Sequence, residues 1–147
     1  MRVPLLNAKT RKGFTLVELA VVIVIIGVLA AFGVPRFLKS VERSKAAEAF
    51  AYLSAVRSSM ERYQAQNSTY ATNLTDLDIK LPPPKYFTVG AVAAGATSSL
   101  QDSWSLTLTR NGASAGYGPY TVIFTQDGYD ATNSGIQALP DINPMGQ

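Results

Sequence analysis

Sixteen consecutive positions, Leu19 to Val34, carry no polar side chain, and this block divides the 147-residue chain into unlike parts. Counted from Phe14, the apolar segment spans ~30 Å as a helix, about the hydrocarbon thickness of a bilayer. The run VVIVII (Val21 to Ile26) is β-branched enough to favour a strand. Its apolar surroundings are far longer than a strand uses, so length decides for helix. Gly27, Gly33 and Pro35 weaken that helix, and Pro35 is the expected kink.

From Arg36 the pattern turns amphipathic. Ala46, Ala49, Leu53, Val56, Met60 and Tyr63 step by three or four residues, which makes one apolar stripe at helical spacing. Arg43, Ser44, Ser54, Ser58 and Glu61 lie off it. The pattern therefore predicts one helix from Phe14 to Gln66, bent near Pro35, with a half that is apolar all round and a half that is apolar on one side. Two environments follow for one rod: lipid or other rods for the first half, a folded domain for the second.

Residues 67–85 read as a loop with a short helical turn near Thr75 to Asp78, closed by Leu81-Pro-Pro-Pro84. Three strands follow over residues 86–125, at Tyr86–Val92, Trp104–Arg110 and Pro119–Thr125. In the second, Trp104, Leu106 and Leu108 alternate with Ser105, Thr107 and Thr109; in the third, Tyr120, Val122 and Phe124 share one side. Asn111-Gly112 is a turn signal between them. Residues 126–147, punctuated by Gly128, Gly135, Pro140 and Pro144, read as irregular. The expected fold class is α+β, a long N-terminal helix carrying a small antiparallel sheet of about three strands. The expected organisation is a basic leader over 1–13, a helix half for lipid or other rods over 14–35, and a globular domain over 36–147, with its helix half at 36–66.

Composition narrows the chemistry. The chain has neither Cys nor His, which removes disulfides, most zinc sites and every Ser-His or Cys-His nucleophile. No catalytic constellation and no cofactor are expected. The net charge of +3 is concentrated at one end: Arg2, Lys9, Arg11 and Lys12 all precede Phe14 with no acid among them. Without them nine basic residues face ten acidic ones, so the charge gives no footprint for a nucleic acid. The basic start favours a cytoplasmic N-terminus for a spanning helix.

An ordinary secretory signal, cut after Ala30 in Val28-Leu29-Ala30 to release a periplasmic binding or enzymatic domain, fits this start. So does a plain signal anchor. Neither accounts for Glu18, a carboxylate at the head of an apolar run where an unpaired charge costs on the order of a few kcal/mol on insertion scales.

Lys12-Gly13-Phe14-Thr15-Leu16-Val17-Glu18-Leu19 resembles the prepilin signature of type IV pilins and of the pseudopilins of type II secretion systems. The shared features are a basic leader ending in Gly, then Phe, a Glu four residues later, and a long apolar helix followed by a proline, here Pro35. The detailed resemblance covers residues 9–40. It implies cleavage between Gly13 and Phe14 by a prepilin peptidase, N-methylation of Phe14, and a role for Glu18 in assembly, pairing with the Phe14 amine of a neighbouring subunit. The implied product is a structural subunit of a helical filament, with a pseudopilin as the alternative. Copies of itself, other pilins, an inner-membrane assembly platform and, before assembly, the lipid bilayer are the implied partners. The implied locations are the bacterial inner membrane, with the N-terminus cytoplasmic, and then an extracellular pilus or periplasmic pseudopilus. The chain departs from better-known pilins in lacking the cysteine pair that often staples the C-terminal region, so closure there must rest on packing and hydrogen bonds.

Asp127, Asp130 and Asn133 place three oxygen donors in a turn-rich loop. The resemblance to calcium-binding pseudopilins makes them a calcium candidate, although the spacing is not that of an EF-hand and exposed turns commonly carry acids. Asn67-Ser-Thr69 and Asn73-Leu-Thr75 match the N-glycosylation pattern, but turn chemistry accounts for both. Tyr117, Tyr120 and Tyr129 are read as packing over the sheet rather than as an adhesive surface, and Trp104 as core.

Overall fold

A computed structural model of the chain describes residues 13–112 and 116–146; the leader expected before Gly13 lies outside the described residues. The chain divides into two compact units, Met1–Pro35 and Arg36–Gln147. Helix α1, Leu16–Asn67, contributes to both and has Pro35 inside it. It ends where Ser68 takes a left-handed φ of 59° and donates its backbone N–H to Gln64 O at 2.8 Å.

In the second unit α1 buries one face. Ala46, Ala49, Leu53, Val56 and Met60 are fully inaccessible, with Phe50 and Tyr52 beside them. Tyr63, the last member of the expected stripe, is only partly buried at its edge. The facing surface is an antiparallel sheet built from β1 (Phe87–Val89), β2 (Ala93–Ala94), β3 (Trp104–Arg110), β4 (Thr121–Thr125) and β5 (Gly128–Tyr129). Strand β3 is central: β1 and β2 pair along one edge, β4 along the other, and β5 pairs with β4. Trp104, Leu106, Leu108, Tyr120, Val122 and Phe124 supply its buried side. Phe50 joins helix to sheet, with its ring centroid 5.6 Å from Phe124 and 4.9 Å from Tyr129.

Five strands replace the three read from the pattern, for two physical reasons. The expected strand 86–92 is interrupted: Val89 pairs with Leu108 and Ala93 with Ser105. Four steps on the edge therefore oppose three on β3, which is a β-bulge. Gly90 sits in it because a Cβ there would lie 2.9 Å from Thr107 O. The other strand, β5, arises in the tail expected to be irregular. Gly128, at φ 111°, turns the chain back so that Tyr129 pairs with Phe124.

The rest of the tail is tied down without a disulfide. Ile136 and Ile142 are fully buried, and Gly135–Ala138 forms a 3₁₀ turn. Ser134 Oγ accepts the Ile123 N–H at 2.9 Å, and Thr121 Oγ1 accepts the Gly135 N–H at 3.0 Å. Lys39 reaches Asp141 at 2.5 Å.

Candidate functional site at the head of the helix

Thr15, just before α1, and Glu18, in its first turn, exchange reciprocal hydrogen bonds. Thr15 Oγ1 accepts the backbone N–H of Glu18 at 3.2 Å. Glu18 Oε2 accepts both the backbone N–H and the hydroxyl of Thr15, each at 2.8 Å. This is a capping box, in which two otherwise orphaned helix donors are satisfied by each other's side chains. The Thr-x-x-Glu spacing is visible in the sequence and supplies a local role for Glu18 that a reading confined to membrane cost passes over. The carboxylate also lies at the positive end of the helix dipole. Within the chain Glu18 is thus an acceptor already in use, on an exposed segment.

Gly13 needs no glycine for conformational reasons: a Cβ there would meet nothing within 4 Å. Phe14 is 80% exposed. Every described residue from Gly13 to Leu38 is exposed, Leu38 being the least so at 37% among the large apolar ones. An apolar face of this size has no stable place in water. Gly27 and Gly33 likewise have open space around the position of a Cβ, yet each costs about 1 kcal/mol relative to Ala in a helix interior. Small residues at such positions allow close approach of another helix. Pro35 ends this unit and has no N–H to return to the preceding turn.

The second unit holds a charged centre that the stripe and the alternation both point to when extended by one step. Glu42 precedes Ala46 on the helical stripe, and Arg110 follows Leu108 on the buried side of β3. Both are almost fully buried. Arg110 Nε and Nη2 donate to the two Glu42 oxygens at 2.6 and 3.1 Å, Tyr120 Oη donates to Glu42 Oε1 at 3.1 Å, and Lys45 reaches Oε2 at 3.2 Å. Arg110 Nη1 donates to the carbonyls of Tyr86 and Asn111. Burial pushes the Glu42 carboxyl up, but the Arg110 hydrogen bond, with Lys45 and Tyr120, outweighs it, so the group sits below its ordinary value. Burial and the Glu42 charge raise the Tyr120 phenol. Each charge has a partner, so the cluster acts as a peg that fixes helix against sheet rather than as an acid or base with work to do.

The structure places the other candidates as follows. Asp130 accepts the N–H groups of Thr132 and Asn133 at 3.0 and 3.1 Å, and Asn133 Nδ2 donates to its other oxygen at 2.7 Å. Those bonds, led by the Asn133 side chain, hold the Asp130 carboxyl below its usual range. Asp127 accepts from Gln126 Nε2 at 3.0 Å. Among the described residues no cluster of three or more His, Cys, Asp or Glu is arranged to hold a metal ion. Asn67 closes the end of α1 by donating to Tyr63 O, and Asn73 precedes the short turn Leu74–Asp76. Tyr120 is buried, and Tyr117 and Tyr129 pack against the core. Trp104 is fully buried with no partner for its indole N–H among the described residues.

Residues 8–34 match the prokaryotic N-terminal methylation motif, and residues 35–134 match the family described as type IV minor pilin ComP, DNA uptake sequence receptor. The chain is 38% identical over 93 residues to the type IV wide pilus major component PilA4 of Thermus thermophilus, which covers 61% of this chain and 70% of that one. It is 41% identical over 71 residues to the type IV major pilin protein PilA of Myxococcus xanthus, covering 48% of this chain and 32% of that one. To the type II secretion system core protein G of Vibrio cholerae it is 37% identical over 78 residues, covering 52% of this chain and 53% of that one. With the Thermus protein excepted, the chain thus spans a third to about half the length of these relatives.

Proposed function

Because the chain belongs to the type IV pilin family, we propose that it is a structural subunit of a type IV pilus-like filament. It is made as a membrane-anchored prepilin, cleaved between Gly13 and Phe14 by a prepilin peptidase and N-methylated on Phe14. The observation that carries this reading is the wholly exposed apolar half of α1 with one carboxylate at its head. In the precursor, lipid covers that surface; in the filament, the same half of neighbouring subunits covers it, and Gly27 and Gly33 let backbones approach. The leader keeps the N-terminus cytoplasmic.

Cleavage frees a cationic amine on Phe14. In an apolar filament centre an unpaired charge is costly and a paired one tolerated, so Glu18 of one subunit receives the Phe14 amine of the next and sets the register of packing. The capping box holds Glu18 in place until then. Resemblance to a secretion-system core protein supports a pseudopilin as the second reading, with the same processing and packing. The family description names a DNA uptake sequence receptor; here residues 36–147 carry nine basic and nine acidic residues, and this balance favours the filament role.

Two substitutions separate the two roles of Glu18. Glu18→Gln keeps an acceptor at the capping position and removes the charge; membrane insertion and cleavage should persist while filament incorporation falls at least tenfold. Thr15→Ala removes the two hydroxyl bonds of the box, leaves the backbone N–H bond to Glu18 and keeps the charge; incorporation should persist. Normal filaments from Glu18→Gln refute the assembly role.

A further inference from the structure

Resting on the membrane-anchored reading, we propose that Arg36 and Arg43, with Lys39 between them, form a binding site for the phosphate headgroups of anionic phospholipid. The headgroups belong to the leaflet from which α1 emerges on the exported side. Arg36 lies two residues past the last apolar position of the run, Val34, and Arg43 nine. On a helix their spacing of three and then four residues puts all three cations on one side, within two turns, or about 10 Å. Lys39 is engaged by Asp141 at 2.5 Å. Arg36 and Arg43 are exposed and make no ion pair among the described residues.

Their neighbours define the kind of surface they meet. Phe37 is 67% exposed and Leu38 37%, so Arg-Phe-Leu-Lys, residues 36–39, mixes bare apolar area with cations directly after the apolar run. A soluble anion needs only the cations. A headgroup layer accommodates both, because long basic side chains extend along apolar surface while their charge meets phosphate. Membrane insertion does not call for these residues, since the bias that orients a spanning helix comes from basic residues on the cytoplasmic flank. An arginine pair on the opposite flank acts against that bias and needs a purpose of its own. The site holds the waiting subunit at a fixed depth and is vacated when the subunit leaves the bilayer.

The test uses the full chain in detergent micelles, titrated with phosphatidylglycerol or phosphatidylcholine, with bound lipids counted by native mass spectrometry. Arg36→Gln/Arg43→Gln should weaken phosphatidylglycerol retention about tenfold and leave phosphatidylcholine retention unchanged. The control Lys80→Gln/Lys85→Gln removes the same charge from exposed positions in the loop before β1 and should retain phosphatidylglycerol like the parent. Inorganic phosphate at equal concentration should not compete. Unchanged retention in the arginine variant, equal loss in the control, or full competition by inorganic phosphate each overturns the proposal. Filament incorporation is scored in parallel: incorporation lost while lipid retention is unchanged assigns the arginines to a neighbouring subunit instead. A failed lipid titration leaves the Glu18→Gln result standing, so the two readings fail separately.

Discussion

Replacing Glu42 by Leu tests whether the buried charge cluster is one coupled unit. The substitution strips Arg110 of both its charged contacts, at 2.6 and 3.1 Å, and leaves the Tyr120 hydroxyl without its acceptor. Breaking a buried pair from one side costs about 3–5 kcal/mol, and an orphaned buried hydroxyl adds about 1–3 kcal/mol. Arg110 keeps the carbonyls of Tyr86 and Asn111, which offsets part of this. The expected loss is about 3–4 kcal/mol, a large share of the roughly 5–15 kcal/mol that holds a domain together. Arg110→Met should cost less, because Glu42 retains Lys45 and Tyr120. The double variant, Glu42→Leu/Arg110→Met, removes both charges and should lie within about 2 kcal/mol of the parent, since apolar replacements of whole buried pairs are often near neutral. Urea unfolding of the detergent-solubilised chain, followed by the fluorescence of the single tryptophan, Trp104, reads this directly. With a slope of about 1–3 kcal/mol/M the midpoint of Glu42→Leu should drop by at least 1 M. A loss below about 1 kcal/mol for Glu42→Leu, or a double variant as unstable as the sum of the singles, refutes the coupling.

Other outcomes follow from the same geometry. Stability should be flat near neutral pH and fall at both ends. The lowered Glu42 carboxyl contributes stability that is complete above its ordinary value of 4.5 and is lost as pH falls through its folded value. Asp78, held at about 2 by hydrogen bonds from Arg62 and Ser59, adds a small loss from 3.8 down to that value. At the alkaline end the raised Tyr120 phenol stays neutral in the fold while an unfolded tyrosine ionises near 10, so stability declines above that pH. Urea midpoints measured from pH 2 to 11 check both signs. Gly90→Val should destabilise the second unit by about 1–3 kcal/mol through overpacking against Thr107 O, whereas Gly112→Ala, at φ 73° with open space around it, should cost only about 1 kcal/mol of strain.

Periodicity made much of this fold legible. The six-residue stripe on α1 and the alternation on β3 and β4 named the core, because helix and strand each repeat their facing side at a fixed interval. Extended by one position, the two patterns would also have put Glu42 and Arg110 on buried faces, where a lone charge in line with an apolar row needs a partner. The Thr15–Glu18 box was equally available as a spacing. Other features were not legible. The bulge at Gly90 depends on the carbonyl of Thr107, seventeen residues away in the chain. Strand β5 and the burial of Ile136 and Ile142 come from contacts that no local pattern encodes, which is why a tail full of glycine and proline read as irregular.

Under the proposed processing, residues 1–13 are a leader and Phe14 becomes the first residue of the working subunit. Mass spectrometry of the N-terminal peptide from the mature protein in its native cell reads that first residue. The expected result is a chain beginning with N-methylated Phe14. A chain beginning at Ala31, as a conventional signal peptidase would leave it, or one that keeps its leader when fully assembled, contradicts it.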